Sequence, residues 1–273
     1  LPDDVRRRRH GRRRHLRSAV SLRRRCLAGV VALAAASPTV AQGPGAFIPL
    51  EMRGMLARAL SGTCDGIVKQ MTQAAGRNDA DAMAVLGWMH ERGFCVAADV
   101  GKAFDFYEAA YRHGQTRVTE RLAGLSASPE GGRDLVATLW WARRSERRST
   151  LLQEALACDP VPGKANPTED EFVDALKDWS QTRRLQCLAD VGFRAMLLAD
   201  MRYTVEALKN DMEGNVTVTF DLHRGASAVK ASHGAGPALT TYVEQVVAHA
   251  MPRAPRSPVA RTDKIDFVFR LTY

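Results

Sequence analysis

The chain has 273 residues, of which 45% are hydrophobic, and this suffices for one large or two small folded domains. A formal net charge of +9 raises the question of a nucleic-acid partner. Residues 1–41 hold 11 of the 39 basic and 2 of the 30 acidic residues, so all the excess charge lies there. Composition therefore argues against a nucleic-acid surface on the remaining, electrically balanced part of the chain.

The first 41 residues have the organisation of an export leader. Arginines dominate residues 6–25, an apolar run covers residues 26–36, and small residues precede Gln42. This order is typical of a secretory signal peptide. Because the apolar run is shorter than the roughly 20 residues that a spanning helix needs, we expect cleavage near Ala41 and a periplasmic protein. In the alternative, the uncleaved leader anchors the protein in the inner membrane, facing the periplasm, and is its only contact with a membrane.

Four cysteines follow the leader, an even number in an exported chain. Such chains use cysteine mainly in disulfides, and four cysteines allow three pairings. We favour pairing within domains, Cys64 with Cys95 and Cys158 with Cys187, over the alternative of four buried free thiols. The chain has no CxxC motif and no Cys/His cluster, so we expect no metal site and no cofactor.

No catalytic site is expected either. Ser227-Ala-Val-Lys230 matches the S-x-x-K motif of penicillin-binding enzymes. That motif acts together with S-D-N and K-T-G elements, and the chain contains neither. We therefore interpret the match as a coincidence within a short strand.

After a predicted linker at residues 42–50, residues 51–158 carry the pattern of helical hairpins. Asp79 and Asp99 are favourable N-cap residues, and Gly93 and Gly114 suit the position after a helix. They predict two helices, at about 80–92 and 100–113. A weak repeat with a period near 35 residues predicts that such hairpins stack. We expect the large aromatic side chains of this region to form the core between helices: Trp88, Phe104, Phe106, Trp140 and Trp141.

This region resembles the Sel-one-like repeats, which are short relatives of tetratricopeptide repeats. The residues that carry the resemblance are Ala82-x-x-x-Leu86-Gly87, Gly93-x-x-Val96-x-x-Asp99, Lys102-Ala103-x-x-Phe106-Tyr107-x-x-Ala110 and Gly114. The flanking copies are degenerate. The resemblance implies a scaffold whose concave face binds other proteins.

A linker and a connecting helix follow the repeats. Residues 159–167 contain three prolines and a glycine, which is typical of a linker. Thr168 and Glu171 have the spacing of a capping box. We therefore expect residues 168–195 to connect the two domains, with one helix running from Thr168 to about Ala189.

Residues 196–273 have the pattern of a small α+β domain. A short helix at about 204–212 is followed by strict alternation of apolar residues from Val216 to Leu222 and by a return strand at 226–232. An amphipathic helix at 239–250 and a final alternating strand from Ile265 to Tyr273 complete it. The expected fold class is thus an α-hairpin repeat domain followed by an α+β domain with the order helix–strand–strand–helix–strand.

This last region resembles the TonB C-terminal domain. The motif Tyr-Pro-x-x-Ala is present with Thr204 in place of proline, and Gly-x-Val-x-Val-x-Phe is present in full. The positions that match the family pattern are Tyr203, Ala207, Gly214, Val216, Val218, Phe220, Gly234, Leu239 and Pro252.

The resemblance to TonB implies binding of an extended peptide by β-augmentation, with envelope proteins, including a TonB-dependent outer-membrane receptor, as partners. The predicted pairing edge consists of Lys264, Ile265, Asp266, Phe267, Val268, Phe269, Arg270 and Leu271. The chain lacks the Pro-Glu/Pro-Lys spacer of the family and a Ser-x-x-x-His motif in the apolar run. We therefore expect a non-catalytic periplasmic adaptor. The alternatives are an energy transducer with a retained leader and, less favoured, a cell-wall-acting enzyme.

Overall fold

Helices form the first half of the described chain. A computed structural model describes residues 64–152, 158–201, 213–232 and 234–270. The leader, the 42–50 segment, and the predicted helix at 204–212 with Tyr203 and Ala207 lie outside these residues, as does Leu271. The helices are α1 (Cys64–Ala75), α2 (Ala80–Arg92), α3 (Val100–Arg112), α4 (Thr119–Ala127), α5 (Leu135–Arg144), the short α6 (Arg148–Leu151), α7 (Glu169–Lys177) and α8 (Gln181–Asp200).

The caps of α2 and α3 are those that the sequence predicts. The Asp79 side chain accepts a hydrogen bond from the backbone N–H of Ala82, and Asp99 accepts one from Lys102. Gly93 ends α2 in the left-handed conformation, with φ of 66°, where glycine is the residue of least strain. The two predicted helices are therefore confirmed to within a residue.

The helices pack as successive pairs around one core. α2 packs against α3 and α4 against α5, and α8 lies against both α4 and α5. Gly87 of α2 faces the ring of Tyr107, where even a methyl group would clash. Of the aromatic residues expected in the core, Trp88 and Trp141 are buried. Three are partly buried against it: Phe104, Phe106 and Trp140.

The connecting segment differs from its prediction. The capping box of Thr168 and Glu171 is present and opens α7. That helix ends at Lys177, and α8 begins after Ser180, whose side chain accepts a hydrogen bond from the N–H of Arg183. The prediction of one helix to about Ala189 is therefore wrong, because Ser180 caps a second helix. α8 also continues to Asp200, across the boundary expected at residue 195.

Hydrogen bonds and an ion pair hold the proline-rich segment 159–167 against α5 and α7. Arg143 of α5 donates hydrogen bonds to the carboxylate of Asp159 and to the backbone carbonyl of Lys164. The ammonium group of Lys164 in turn pairs with Glu171. The segment thus spans the gap between α5 and α7 along a defined path.

Two disulfides join segments of the helical part. Cys64 is bonded to Cys95, which ties the start of α1 to the loop after α2. Cys158 is bonded to Cys187, which ties the proline-rich segment to α8. This matches the within-domain pairing expected from the sequence.

A small antiparallel sheet follows the helices. β1 (Gly214–Asp221) lies between β2 (Ala226–Ser232) and β3 (Thr262–Phe269), so the strand order is β2-β1-β3. The helix α9 (Pro237–Ala250) connects β2 to β3 and packs against β1, β2 and α8. The first two predicted strands and the amphipathic helix are confirmed. The final strand, predicted from Ile265 to Tyr273, begins earlier, at Thr262, and ends at Phe269, while residues 271–273 lie outside the described part. At the coarse level the fold is a mixed one, with helices and one three-stranded sheet.

The sheet packs one face against helices. Val216, Val218 and Phe220 of β1 are buried, and they alternate with partly exposed residues, as a half-buried strand requires. The ring of Phe220 meets Phe193 of α8 edge to face, at 4.8 Å between centroids. Among the described helices, none combines the length and apolar character needed to cross a bilayer.

Candidate peptide-binding edge

β3 forms one edge of the sheet. Its pairing with β1 runs from Phe269, opposite Gly214, to Thr262, opposite Asp221. A strand that is paired on one side directs alternate N–H and C=O groups outward on its other side. Within the part of the chain that the structure describes, no strand pairs with that outer side. β3 therefore presents eight residues of edge backbone.

The side chains of β3 alternate between the core and solvent. Ile265, Phe267 and Phe269 are buried against the helices, as predicted. Lys264, Asp266 and Val268 are exposed. Arg270, also exposed, follows the strand directly. The buried residues fix the register of β3 on β1, since a slip by one residue would expose all three.

Val268 is the most apolar feature of this edge. Its side chain is 53% exposed, more than any other large hydrophobic residue of the described chain. The residue opposite it in β1 is Asn215, which offers little apolar cover. A bound apolar side chain that covers Val268 removes apolar surface from water. This favours binding by about 25 cal/mol for each Å² covered.

The other edge of the sheet has a different character. β2 has one exposed charged residue, Lys230, and its other exposed residues are small: Ala226, Ser227 and Ala228. Small side chains contribute little to cross-strand pairing, which depends on branched, aromatic or charged pairs. Of the two edges, β3 therefore has the side chains better suited to hold a partner strand.

Helix α8 holds β3 from the core side. Arg194 of α8 is completely buried, and its Nε donates to Asp190 at 3.0 Å. Its Nη2 lies 3.5 Å from a carboxylate oxygen of Asp263 in β3. The guanidinium also lies over the ring of Phe220. These contacts fix the first half of β3 relative to α8.

A buried ionic cluster joins the helical part (α1 to α8, Cys64–Asp200) to the sheet region (β1 to β3 with α9, Gly214–Phe269). At its centre is Glu91 of α2, which accepts hydrogen bonds from the hydroxyl of Tyr107 at 2.8 Å and from Arg121 at 3.0 Å. Arg253, in the 3₁₀ turn after α9, reaches the same carboxylate at 3.3 Å. Burial by itself would raise the pKa of Glu91, but Arg121, Arg92 and Arg253 outweigh it and hold that pKa far below its usual range. Glu91 is therefore ionised.

The second acid of this cluster is Asp200, the last residue of α8. Its carboxylate pairs with Arg92 and, at 3.0 Å, with Arg121. Its backbone carbonyl accepts a hydrogen bond from the hydroxyl of Tyr242 in α9. The cluster thus connects α2, α4 and α8 with α9.

The described positions of the TonB pattern, all but Tyr203 and Ala207, lie between Gly214 and Pro252, in the sheet and the elements that connect its strands. Gly214 opens β1 with φ of 149°, and a side chain there would collide with Ala235. Gly234 has φ of 85° in the turn before α9, Leu239 is buried in α9, and Pro252 lies in the 3₁₀ turn that follows. The remaining described positions, Val216, Val218 and Phe220, form the buried face of β1.

The S-x-x-K match at Ser227 and Lys230 does not bring the two side chains together. Ser227 and Lys230 lie three residues apart in β2. Because successive side chains of a strand point to opposite faces, the two side chains lie on opposite faces of the sheet. Among the described residues there is also no group of three or more His, Cys, Asp or Glu placed to hold a metal ion.

The ionic cluster was not predictable from the sequence. Glu91, Arg121, Asp200 and Arg253 are far apart in the chain, and no spacing rule connects them. A weak signal exists in the acid–base pair Glu91-Arg92 at the end of a largely apolar helix. That pattern is typical of an exposed helix end, and here the pair is instead contacted by Tyr107, Arg121, Asp200 and Arg253 from other elements.

No protein-family model, curated protein or solved structure matches this chain. The resemblances to Sel-one-like repeats and to the TonB C-terminal domain therefore stay predictions from the residues quoted above.

Proposed function

We propose that the protein is a non-catalytic periplasmic adaptor that binds an extended segment of an envelope protein along the outer edge of β3. In this proposal the sheet region is a TonB-like C-terminal domain and the helical part a Sel-one-like scaffold. The observation that carries the proposal is the position of β3, an edge strand with eight residues of backbone and an exposed valine.

Backbone pairing supplies the affinity in this mode of binding. An extended peptide that joins the edge satisfies the outward N–H and C=O groups of β3 and its own at the same time. The edge is ready for this without rearrangement, because Ile265, Phe267 and Phe269 already fix the strand on the core. A preformed edge spares the ordering cost that a mobile one would add to binding.

The two disulfides support the periplasmic location. Disulfides persist in oxidising compartments and are rare in the cytosol. Cys64–Cys95 and Cys158–Cys187 each close a loop of about thirty residues, with sequence separations of 31 and 29. A protein that depends on such links is suited to the space beyond the inner membrane.

The helical part supports an adaptor that holds two partners rather than a protein that binds only a peptide. The ionic cluster around Glu91 attaches the sheet region to α2, α4 and α8 through buried contacts. A partner held on the helices would therefore have a fixed position relative to a peptide on β3.

The test selects peptides from a random nine-residue display library on the purified protein and maps them by NMR. We expect selected peptides to shift the backbone amide signals of β3 more than those of β2. In a peptide paired with β3, alternate backbone amides donate to the edge and the others point away from it. We therefore expect N-methylation of one alternate set to abolish binding and methylation of the other set to be tolerated. Selection that yields no binder, or binders that leave β3 unperturbed, would refute the proposal.

A further inference from the structure

Four side chains of β3 are exposed, and after Thr262 they form an ordered series of three different chemistries. Lys264, Asp266 and Val268 lie two residues apart on the same face of the strand, and all three are exposed. In order along the chain they are basic, acidic and apolar. This series is the part of the edge that can distinguish one peptide from another.

The sheet itself does not neutralise the two charges of this series. The residue opposite Lys264 in β1 is Thr219, and the residue opposite Asp266 is Thr217. The Thr217 hydroxyl donates to the Asp266 carboxylate at 2.6 Å, which leaves the second carboxylate oxygen and its negative charge available. Both charges are thus open to a strand on the outer side.

A peptide paired with the outer edge places one residue directly beside each of these side chains. Directly opposed residues lie about 4.5–5.5 Å apart at Cβ, where opposite charges stabilise and like charges destabilise the pair. An acidic residue then suits Lys264, a basic residue suits Asp266, and an apolar residue covers Val268. Residues between them lie on the other face, beside Ile265 and Phe267, and are apolar.

The order of these residues depends on the direction of the peptide. β1 pairs antiparallel with both of its neighbours, and antiparallel pairing is slightly more stable per residue than parallel pairing. Resting on the proposed function of this edge, we propose that β3 selects an antiparallel segment that reads apolar, basic, acidic at alternate positions from its N-terminus. A parallel segment would need the reverse order.

The test compares two peptides of identical composition on the full protein. The matched peptide is Ser-Thr-Val-Val-Lys-Val-Glu-Thr-Ser, and in the exchanged peptide the Lys and Glu swap places. We expect the matched peptide to bind about tenfold more tightly at low ionic strength, since two attractive pairs replace two repulsive ones. The difference should shrink in 0.5 M salt, because these pairs are exposed to solvent.

A charge-swapped protein supplies the matched control. In the double variant Lys264→Asp with Asp266→Lys, we expect the preference to reverse in favour of the exchanged peptide. Both residues are exposed, and circular dichroism checks that the variant folds; the comparison on the unaltered protein stands without it. Equal affinity for the two peptides, with β3 signals shifted by both, would overturn this inference and leave edge binding intact. If neither these peptides nor any selected peptide shifts β3, the proposed function fails as well.

Discussion

At the scale of single residues, His249 has a pKa that the fold shifts within the accessible pH range. Its Nε2 lies 3.0 Å from Nη1 of Arg253, and the charges of Arg92 and Glu91 on α2 and of Asp200 on α8 also act on the ring. Burial, together with Arg92 and Arg253, lowers the pKa of His249 from 6.5 to about 4. The ring is therefore neutral near pH 7 and can accept the hydrogen bond from Arg253.

This shift makes the stability of the protein depend on pH. Between pH 6.5 and 4 the unfolded chain binds a proton at residue 249 that the folded chain excludes, so stability falls as the pH falls through this window. We expect His249→Gln, which keeps an acceptor for Arg253 but does not titrate, to flatten the decline between pH 7 and 5. Urea denaturation at a series of pH values measures it. His113→Gln, at an exposed histidine, is the control. An unchanged slope in His249→Gln would show that another group causes the decline.

At the scale of elements, the accuracy of prediction from sequence depends on whether the signal is local. The N-caps Asp79 and Asp99 bond to backbone within one turn, so the starts of α2 and α3 are predictable. The alternation of Val216, Val218 and Phe220 likewise identifies the buried face of β1. The break at Ser180 has a cap of the same local kind, on the N–H of Arg183, so this boundary was also predictable, although the prediction from sequence runs one helix across it. The edge position of β3 depends on strand order, and the TonB resemblance, rather than any rule of spacing, pointed to it.

The crossing of α8 and α4 depends on a glycine. A Cβ atom built on Gly192 would lie only 2.3 Å from the Cβ of Ala127, so the two helices approach too closely for any side chain there. We expect Gly192→Ala to destabilise the protein by about 1–3 kcal/mol through overpacking, although alanine is the better helix former. The midpoint of urea denaturation measures the loss. Thr182→Ala, an exposed substitution in the same helix, should cost little; equal effects of the two would mean that the helices can separate freely.

At the scale of the whole molecule, the described helices and the sheet belong to one compact unit. The expected boundary at residue 195 lies inside α8, and that helix packs on α4 and α5 as well as on α9. The hydrophobic contact of Phe193 with Phe220 and the ionic cluster around Glu91 both cross from helices to the sheet region. The described helices and the described sheet are thus packed together as one body.

We therefore expect the helical part and the sheet to unfold in one cooperative transition. All four tryptophans, Trp88, Trp140, Trp141 and Trp179, lie in the helical part, so their fluorescence reports on it alone. Hydrogen exchange of the β1 amides reports on the sheet, and the two free energies of unfolding should agree. A β1 value well below the tryptophan value would mean that the sheet opens independently of the helices.

Removing the negative charge of Glu91 measures what the ionic cluster contributes to that cooperativity. Glu91→Gln leaves the buried Arg121 and the partly buried Arg253 without this anionic partner, so we expect both free energies to fall together, by about 3–5 kcal/mol. Glu108→Gln removes a carboxylate that pairs with Arg112 near the surface of α3, and it should cost less than about 1 kcal/mol. If Glu91→Gln lowers only the β1 value, the cluster attaches the sheet but does not stabilise the helices. A loss no larger than that of Glu108→Gln would mean that hydrophobic packing alone joins the two parts.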